Sequence, residues 1–237
     1  MKIAVTGGTG FLGKNFINKF SDTNEIVLLP HDEFYDRKML MGCEFLVHFA
    51  AVQKGKDYSE FYKGNVEYTK KILSDLETLN IKIPILFTNS IRASGNDFFS
   101  KTKRETVNLI KKYCSKNEVR GLIFLLNNIY GPYARWNHNN VIATYCYNLV
   151  KKKPIVINDP STILELTYVD DLMQDISFAI SDKSGIAGDA IRPSKISCHS
   201  LGEIAMILGK IKNKVALNDG FEENIKKTFS FYERILS

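Results

Sequence analysis

The 237-residue chain has no apolar run long enough to cross a bilayer, and its opening Met1-Lys2-Ile3-Ala4-Val5 is not a charged-then-apolar leader. A soluble protein of the cytoplasm is expected. Cysteine is scarce: Cys43, Cys114, Cys146 and Cys198 lie far apart with no paired spacing, which predicts free thiols rather than a disulfide framework. The four histidines form no ligand cluster, so no metal is expected. No internal repeat or low-complexity linker is present. The net charge of +6 is spread over helix faces such as Lys101-Thr102-Lys103-Arg104 and Lys111-Lys112. No stripe of basic residues interleaves with aromatics, which argues against a nucleic-acid partner, and an anionic small ligand accounts for the basic balance equally well.

What is present begins at the first residues. Thr6-Gly7-Gly8-Thr9-Gly10-Phe11-Leu12-Gly13 follows the apolar run Ile3-Ala4-Val5 and opens an amphipathic segment, Leu12 to Phe20. Strand, glycine turn and helix thus stand in the order that a dinucleotide site requires. Gly7 permits the tight turn, Gly10 lets backbone amides approach a pyrophosphate, Gly13 lets the helix pack on the strand, and the helix start supplies partial positive charge. Glycine-rich turns also close ordinary strand–helix units, but the position directly after a short buried-type strand favours a nucleotide.

Downstream, short apolar runs alternate with amphipathic stretches. Strands are predicted at Lys2–Val5, Glu25–Leu29, Phe45–Phe49, Ile83–Thr88 and Leu122–Leu126, and helices near Leu12–Phe20, Asn65–Leu79 and Thr102–Ser115. Such alternation predicts an α/β fold with a doubly wound parallel sheet of Rossmann type. After Gly131-Pro132 the pattern changes to a helix over Asn140–Lys151, a short strand Ile155–Ile157, an extended Leu166–Val169, a helix opening at Asp170-Asp171, another near Leu201–Leu208 and an aromatic-rich tail. Residues 1–127 are therefore expected to form the nucleotide-binding domain, and 128–237 mainly a small substrate-binding lobe interleaved with the sheet.

The glycine turn, His48-Phe49-Ala50-Ala51, Asn65-Val66 with Thr69, Asn128-Ile129-Tyr130-Gly131-Pro132 and Tyr168-Val169-Asp170-Asp171 occur in order. Together they resemble the extended short-chain dehydrogenase/reductases, the sugar-nucleotide epimerase/dehydratase family, over nearly the whole chain. The stretches 139–148 and 154–161 are similar to the reductase domain of capsular-polysaccharide enzymes that make the UDP-N-acetyl-L-fucosamine precursor. The resemblance implies reduction by NADPH of a C4 ketone on a UDP-linked 6-deoxy-amino sugar, a nucleotide-sugar partner, and a homodimer as an admissible assembly. Gly7, Gly10, Phe11, Leu12 and Ala50 are the cofactor-binding positions it implies.

Ketone reduction needs a proton donor beside the hydride donor. In the family this is a Ser or Thr with Tyr-x-x-x-Lys, whose helical spacing puts phenol and ammonium on one face. Here Ser90 and Lys103 match, but four residues before Lys103 stands Phe99, which has no ionisable proton. Three readings stay open: an introduced substitution, a different donor such as Ser90 or water, or a catalytically silent nucleotide-sugar or cofactor binding protein. An epimerase or dehydratase is the further alternative. Tyr58, Tyr62 and Tyr130 could carry a phenol but are the kind of tyrosine usually found in cores.

Other assignments have plain structural competitors. Ser90 could only cap a turn, and Lys103 could be a surface lysine. His48, at a strand end, reads as a packed residue rather than a base. Arg92, Arg135 and His138 border the sugar-nucleotide cleft by resemblance, where guanidinium forks suit a diphosphate. Asn128 reads as a substrate-contacting amide. Leu164 stands where many relatives place a diphosphate-binding Arg. Asp170-Asp171 reads as a helix cap rather than a catalytic pair. For the cofactor, Asp32 falls slightly late for a ribose contact and Arg37-Lys38 follows, so NADP is preferred and NAD stays admissible. Asp36 is placed near the adenine edge.

Overall fold

Buried apolar runs and the turns between them set the framework. The computed structural model describes residues 1–181 and 188–236. In chain order they form β1 (Lys2–Thr6), α1 (Phe11–Phe20), β2 (Glu25–Leu29), β3 (Phe45–His48), α2 (Tyr58–Phe61), α3 (Tyr68–Thr78), β4 (Ile85–Ser90), α4 (Phe98–Asn117) and β5 (Gly121–Leu126). Then follow β6 (Asn128–Tyr130), α5 (Val141–Val150), β7 (Ile163–Tyr168), α6 (Val169–Ser181), β8 (Gly188–Ile191), β9 (Ser197–Ser200), α7 (Leu201–Lys212) and α8 (Gly220–Leu236).

The chain divides into two compact units. The first, 1–126 with 176–192, holds a six-stranded sheet in the order β2-β1-β3-β4-β5-β8. Every pairing in it is parallel. Helices such as α3 and α4 bury Ile72, Leu76, Ile110 and Tyr113 in one core with Leu46, Ile85 and Phe87 of the sheet. Strands buried to this degree, all four residues of β3 for example, have the continuous apolar character of a parallel sheet covered by helices. The doubly wound α/β class expected from sequence is the class observed.

The second unit, 127–175 with 193–236, carries a three-stranded sheet in which β6 and β7 are parallel and β7 and β9 antiparallel. Helix α7 starts at a capping box, Ser200 with Glu203. Tyr232 of α8 is fully buried and donates its hydroxyl to the Ala134 carbonyl.

Several sequence expectations need correction. Ile155–Ile157 forms no strand: it follows Pro154, no ladder partner reaches it among the described residues, and Val156 is 73% exposed. The helix expected from Asn65 begins at Tyr58 and passes through a wide π turn, Tyr62–Glu67. Helix α4 begins at Phe98 rather than Thr102, because Asp97 caps it by accepting the Ser100 N–H at 2.7 Å. Val169 ends no strand but opens α6, so Asp170 and Asp171 lie in the first turn of that helix and not at its cap.

Candidate functional site

In the first unit the strand order reverses at β1, since β2 pairs on one side of it and all later strands lie on the other. Such a reversal opens a crevice beyond the carboxyl ends of β1 and β3. Gly7 follows β1 with φ +67°, and a Cβ there would lie 2.7 Å from the Ala50 nitrogen just past β3. A Cβ on Gly13 would lie 2.2 Å from the Gly7 carbonyl oxygen. Both positions therefore exclude a side chain. Gly10 caps α1 without a side chain, and the first turn of α1 holds no acidic residue, so nothing competes for the amides that head the helix at Phe11 and Leu12. This cradle fits the pyrophosphate of a dinucleotide.

The floor of the crevice is a closed hydrogen-bond chain. Ala50 N–H donates to Thr6 Oγ1 at 3.1 Å, Thr6 Oγ1 lies 2.7 Å from His48 Nδ1, and His48 Nε2 lies 2.8 Å from Thr69 Oγ1. Thr69 in turn donates to the Asn65 carbonyl at 2.6 Å. That last bond uses the only hydroxyl proton of Thr69, so Thr69 accepts from Nε2–H and His48 accepts from Thr6 at Nδ1. His48 is thus a neutral imidazole with both nitrogens engaged, and burial, helped by the Lys103 charge, pushes its pKa down to about 3. It is a packed residue and no base. Asn65 ties the chain together: its amide exchanges two bonds with Val52 and donates to Thr102 Oγ1 on α4 at 3.0 Å. The π turn is what points this asparagine inward.

The start of α4 faces the carboxyl end of β4. Phe99 and Lys103 are 7% and 3% exposed, while Phe98, Lys101 and Arg104 are exposed, so the four-residue spacing does put Phe99 and Lys103 on one buried face. Lys103 Nζ donates to the Thr88 carbonyl at 2.6 Å and lies 3.9 Å from the Phe87 ring centre. Burial pushes its pKa down to about 7. Two residues past Thr88, Ser90 Oγ accepts the Arg92 N–H at 3.2 Å. The Arg92 guanidinium sits 5.2 Å from the Phe99 ring centre and 3.4 Å from Asp97. Ser100 and Arg104 pin the intervening turn through the carbonyls of Arg92, Ala93 and Gly95. Ser90, Arg92, Phe99 and Lys103 are thereby gathered at one strand end.

Neither Tyr58 nor Tyr62 joins them. Tyr58 is half-exposed, with its ring tilted against Tyr62 and edge-on to Phe98, and Tyr62 accepts from Lys70 at 2.7 Å. Tyr130 belongs to the second unit, where burial raises its pKa far above the usual phenol range. At the end of β2, Asp32 accepts the Phe34 N–H at 3.2 Å and Asp36 the Lys38 N–H at 2.9 Å. Both carboxylates thus have an oxygen committed to their own turns, and Arg37 is exposed beside them.

The second unit has its own cavity of about 460 Å³, lined by Asn128, Asn137, Asn139, Asn140, Tyr145 and Leu164 among others. Asn128 Nδ2 donates to the Glu165 carbonyl at 3.1 Å, and Asn140 caps α5 while donating to the Ile129 carbonyl at 2.8 Å. Asn137 and Asn139 both have φ +57°, a left-handed conformation that asparagine tolerates. Arg135 is exposed and His138 half-buried in the same loop, and neither lines the cavity. Asn137, Asn139 and Asn140 were not picked out by sequence as site residues; their signal is three asparagines in four residues ahead of an apolar helix. Among the described residues no cluster of metal-ligating side chains occurs and no helix is long and apolar enough to cross a membrane, and all four cysteines are free.

Comparison with known proteins agrees with this architecture. The chain is 28% identical over 218 residues to the UDP-2-acetamido-2,6-beta-L-arabino-hexul-4-ose reductase of Pseudomonas aeruginosa, covering 90% of this chain and 58% of that protein. The crystal structure of the capsular polysaccharide assembling protein CapF from Staphylococcus aureus superposes with a TM-score of 0.85 at 29% identity, over 98% of this chain and 65% of that one. The chain thus spans about three fifths of the length of these relatives. The UDP-glucuronic acid 4-epimerase of Bacillus cereus, solved with NAD, shares the fold with a TM-score of 0.87 at 17% identity, over 99% of this chain and 97% of that one. The sequence profile of the NAD dependent epimerase/dehydratase family matches residues 3–191, and the chain belongs to that family.

Proposed function

We propose that the chain binds NADP(H) in the β1–β3 crevice and reduces the C4 ketone of a UDP-linked 6-deoxy sugar in surface polysaccharide synthesis. The observation that carries this reading is the backbone cradle, in which Gly7 and Gly13 have no room for a Cβ and α1 begins with uncontested amides. The substrate class is supported by the reductase relative, which aligns with 90% of the chain.

The nicotinamide, when bound, supplies the hydride. Ser90 accepts from Arg92 N–H and keeps its own proton to donate toward the ketone oxygen. Lys103, anchored on the Thr88 carbonyl, would offer its remaining N–H bonds to the cofactor ribose, and Phe99 excludes water from the volume a phenol would fill. Arg37 would meet the 2′-phosphate of NADP, being exposed beside Asp32 and Asp36, each of which has one oxygen engaged in its own turn. In the second unit the cavity combines an apolar wall with the amides of Asn128, Asn137, Asn139 and Asn140, which suits a nucleotide base, with Asn128 as a contact; Arg135 and His138, in the loop beside it, are offered as diphosphate partners from the family resemblance alone.

The experiment is a thermal-shift panel of UDP sugars with and without NADPH, followed by NADPH oxidation with a UDP-linked 4-keto-6-deoxy sugar. Stabilisation by NADPH and stoichiometric oxidation are expected; failure of NADPH to raise the melting temperature overturns the assignment. One observation favours a second reading. Phe99 is buried with no hydroxyl in its place, so a protein that binds cofactor and nucleotide sugar without turning them over would look the same. Stabilisation by both ligands with no oxidation would establish it.

A further inference from the structure

Lys103 is a buried amine whose usual employment is gone. Without a phenol one turn away there is no group for its charge to tune, yet it is 3% exposed. Among the described residues the groups packed against it are neutral, and the charged side chains gathered at the same strand end, Arg92 and Asp97, pair with each other at 3.4 Å. From β4 come the Thr88 carbonyl at 2.6 Å and the Phe87 ring at 3.9 Å. From β3 comes His48, the titratable side chain whose pKa feels the Lys103 charge, held neutral by its two threonine partners. From the π turn and α3 come Asn65 and Thr69, whose polar atoms are already paired. On α4 itself Phe99 lies one turn before, and Glu105 points to the outer surface, where it faces Lys70 at 3.7 Å. Among the described residues no carboxylate pairs with Lys103, and burial is the sole cause of its lowered pKa, about 7.

A cation so placed has one acceptor for three N–H bonds and no counter-charge, so its protonation is decided by whatever else enters the crevice. A dinucleotide brings ribose oxygens as further acceptors and phosphate charge nearby. We propose that binding of the dinucleotide draws a proton onto Lys103, so that cofactor affinity is linked to pH between neutrality and the alkaline range. This rests on the dinucleotide reading of the β1–β3 crevice. The step is simple protonation: the Nζ lone pair takes a proton from buffer, and no other bond changes.

Proton uptake makes affinity fall as pH rises above the free amine's pKa. With that value about 7, the dissociation constant of NADPH should rise about tenfold between pH 8 and pH 9. Calorimetry of the whole chain with NADPH at pH 8, in phosphate and in Tris, should give about 0.9 proton taken up per cofactor bound. NADH should give the same uptake, which removes the 2′-phosphate as its source. Lys103→Met should bind more weakly with no uptake and a flat pH profile. Should that variant fail to fold or bind, the slope and uptake of the unsubstituted chain decide alone. Tight NADPH binding with no proton exchange and an unchanged dissociation constant from pH 7.5 to 9 overturns the proposal while leaving the cofactor site intact. No binding of NADPH at any pH from 6 to 9 overturns the cofactor site and the proposal together.

Discussion

Two neighbouring regions of the sheet's carboxyl edge each bury a nitrogen base, and they treat it in opposite ways. In the β1–β3 crevice His48 has a partner for each ring nitrogen, and the chain of bonds runs on through Thr69 to Asn65. Beneath α4, Lys103 has the Thr88 carbonyl and the face of the Phe87 ring. A buried polar group that is fully paired rigidifies the fold, whereas one that is under-paired is held at a cost and waits for a partner. The first region is therefore architecture and the second is a binding station. Burial alone does not separate them; the completeness of the hydrogen bonding does.

The largest test gives Lys103 something to act on. Phe99→Tyr places a phenol one turn before Lys103, and reduction of a UDP-linked 4-keto sugar should rise by roughly two to four powers of ten, the worth of a positioned general acid. Lys103→Ala in that background should remove the gain. Steady-state NADPH oxidation measures both, and no gain despite intact NADPH binding would leave the binding-protein reading in possession.

Next, the closed chain can be opened. Thr6→Val keeps the shape of the side chain but leaves Ala50 N–H without its acceptor and His48 Nδ1 without its donor. Each orphaned group costs ~1–3 kcal/mol, and urea unfolding at unchanged slope should register the loss. A neutral outcome would mean that water replaces the threonine and the region is not closed.

The two bases also predict pH limbs of the same sign, in adjacent windows, for the unliganded chain. Lys103 titrates near 7 when folded and near ~10.4 when unfolded. The unfolded chain therefore binds more protons between those values, and stability should climb from pH 7 to pH 9, by roughly 5 °C in Tm. Lys103→Met should flatten that limb. His48, at about 3 folded against ~6.5 unfolded, makes stability fall as pH drops below ~6.5. The smallest effect lies outside both regions: Arg37→Ala should weaken NADPH about fivefold and leave NADH nearly unchanged, as befits one exposed charge-assisted contact. Equal losses in paired titrations would remove Arg37 from cofactor choice.

Much of the first region was legible in sequence. The glycine turn states its own backbone requirements, and the Phe99 and Lys103 spacing is helical arithmetic that the structure places on one face of α4, with Ser90 at the end of β4. What sequence could not supply was non-local. Nothing near His48 announces that Thr6 and Thr69, forty-two and twenty-one residues away, would saturate it. The π turn is equally silent, because its wide ladder is imposed by packing rather than by residue type. In the second unit Val156 sat in an apolar run yet is exposed, since a strand needs a partner and not only a composition. The asparagines of the cavity look like ordinary loop residues until the backbone turns left-handed at Asn137 and Asn139.

The place of β8 in the first sheet has a consequence for how the chain is born. Strand β5 ends at Leu126, but its outer partner arrives only at Gly188, where Leu122 pairs with Gly188 and Phe124 with Ile191. A ribosome adding ~5–20 residues per second takes several seconds to cross that interval. Throughout it, five strands of the sheet are available and β5, with apolar Leu122, Ile123 and Phe124, has a neighbour only on its β4 side. An unpaired edge of that kind is a template for another nascent chain. Slowing elongation between the emergence of β5 and the emergence of β8 from the ribosome should lower soluble yield, whereas slowing it before β5 has been made should not.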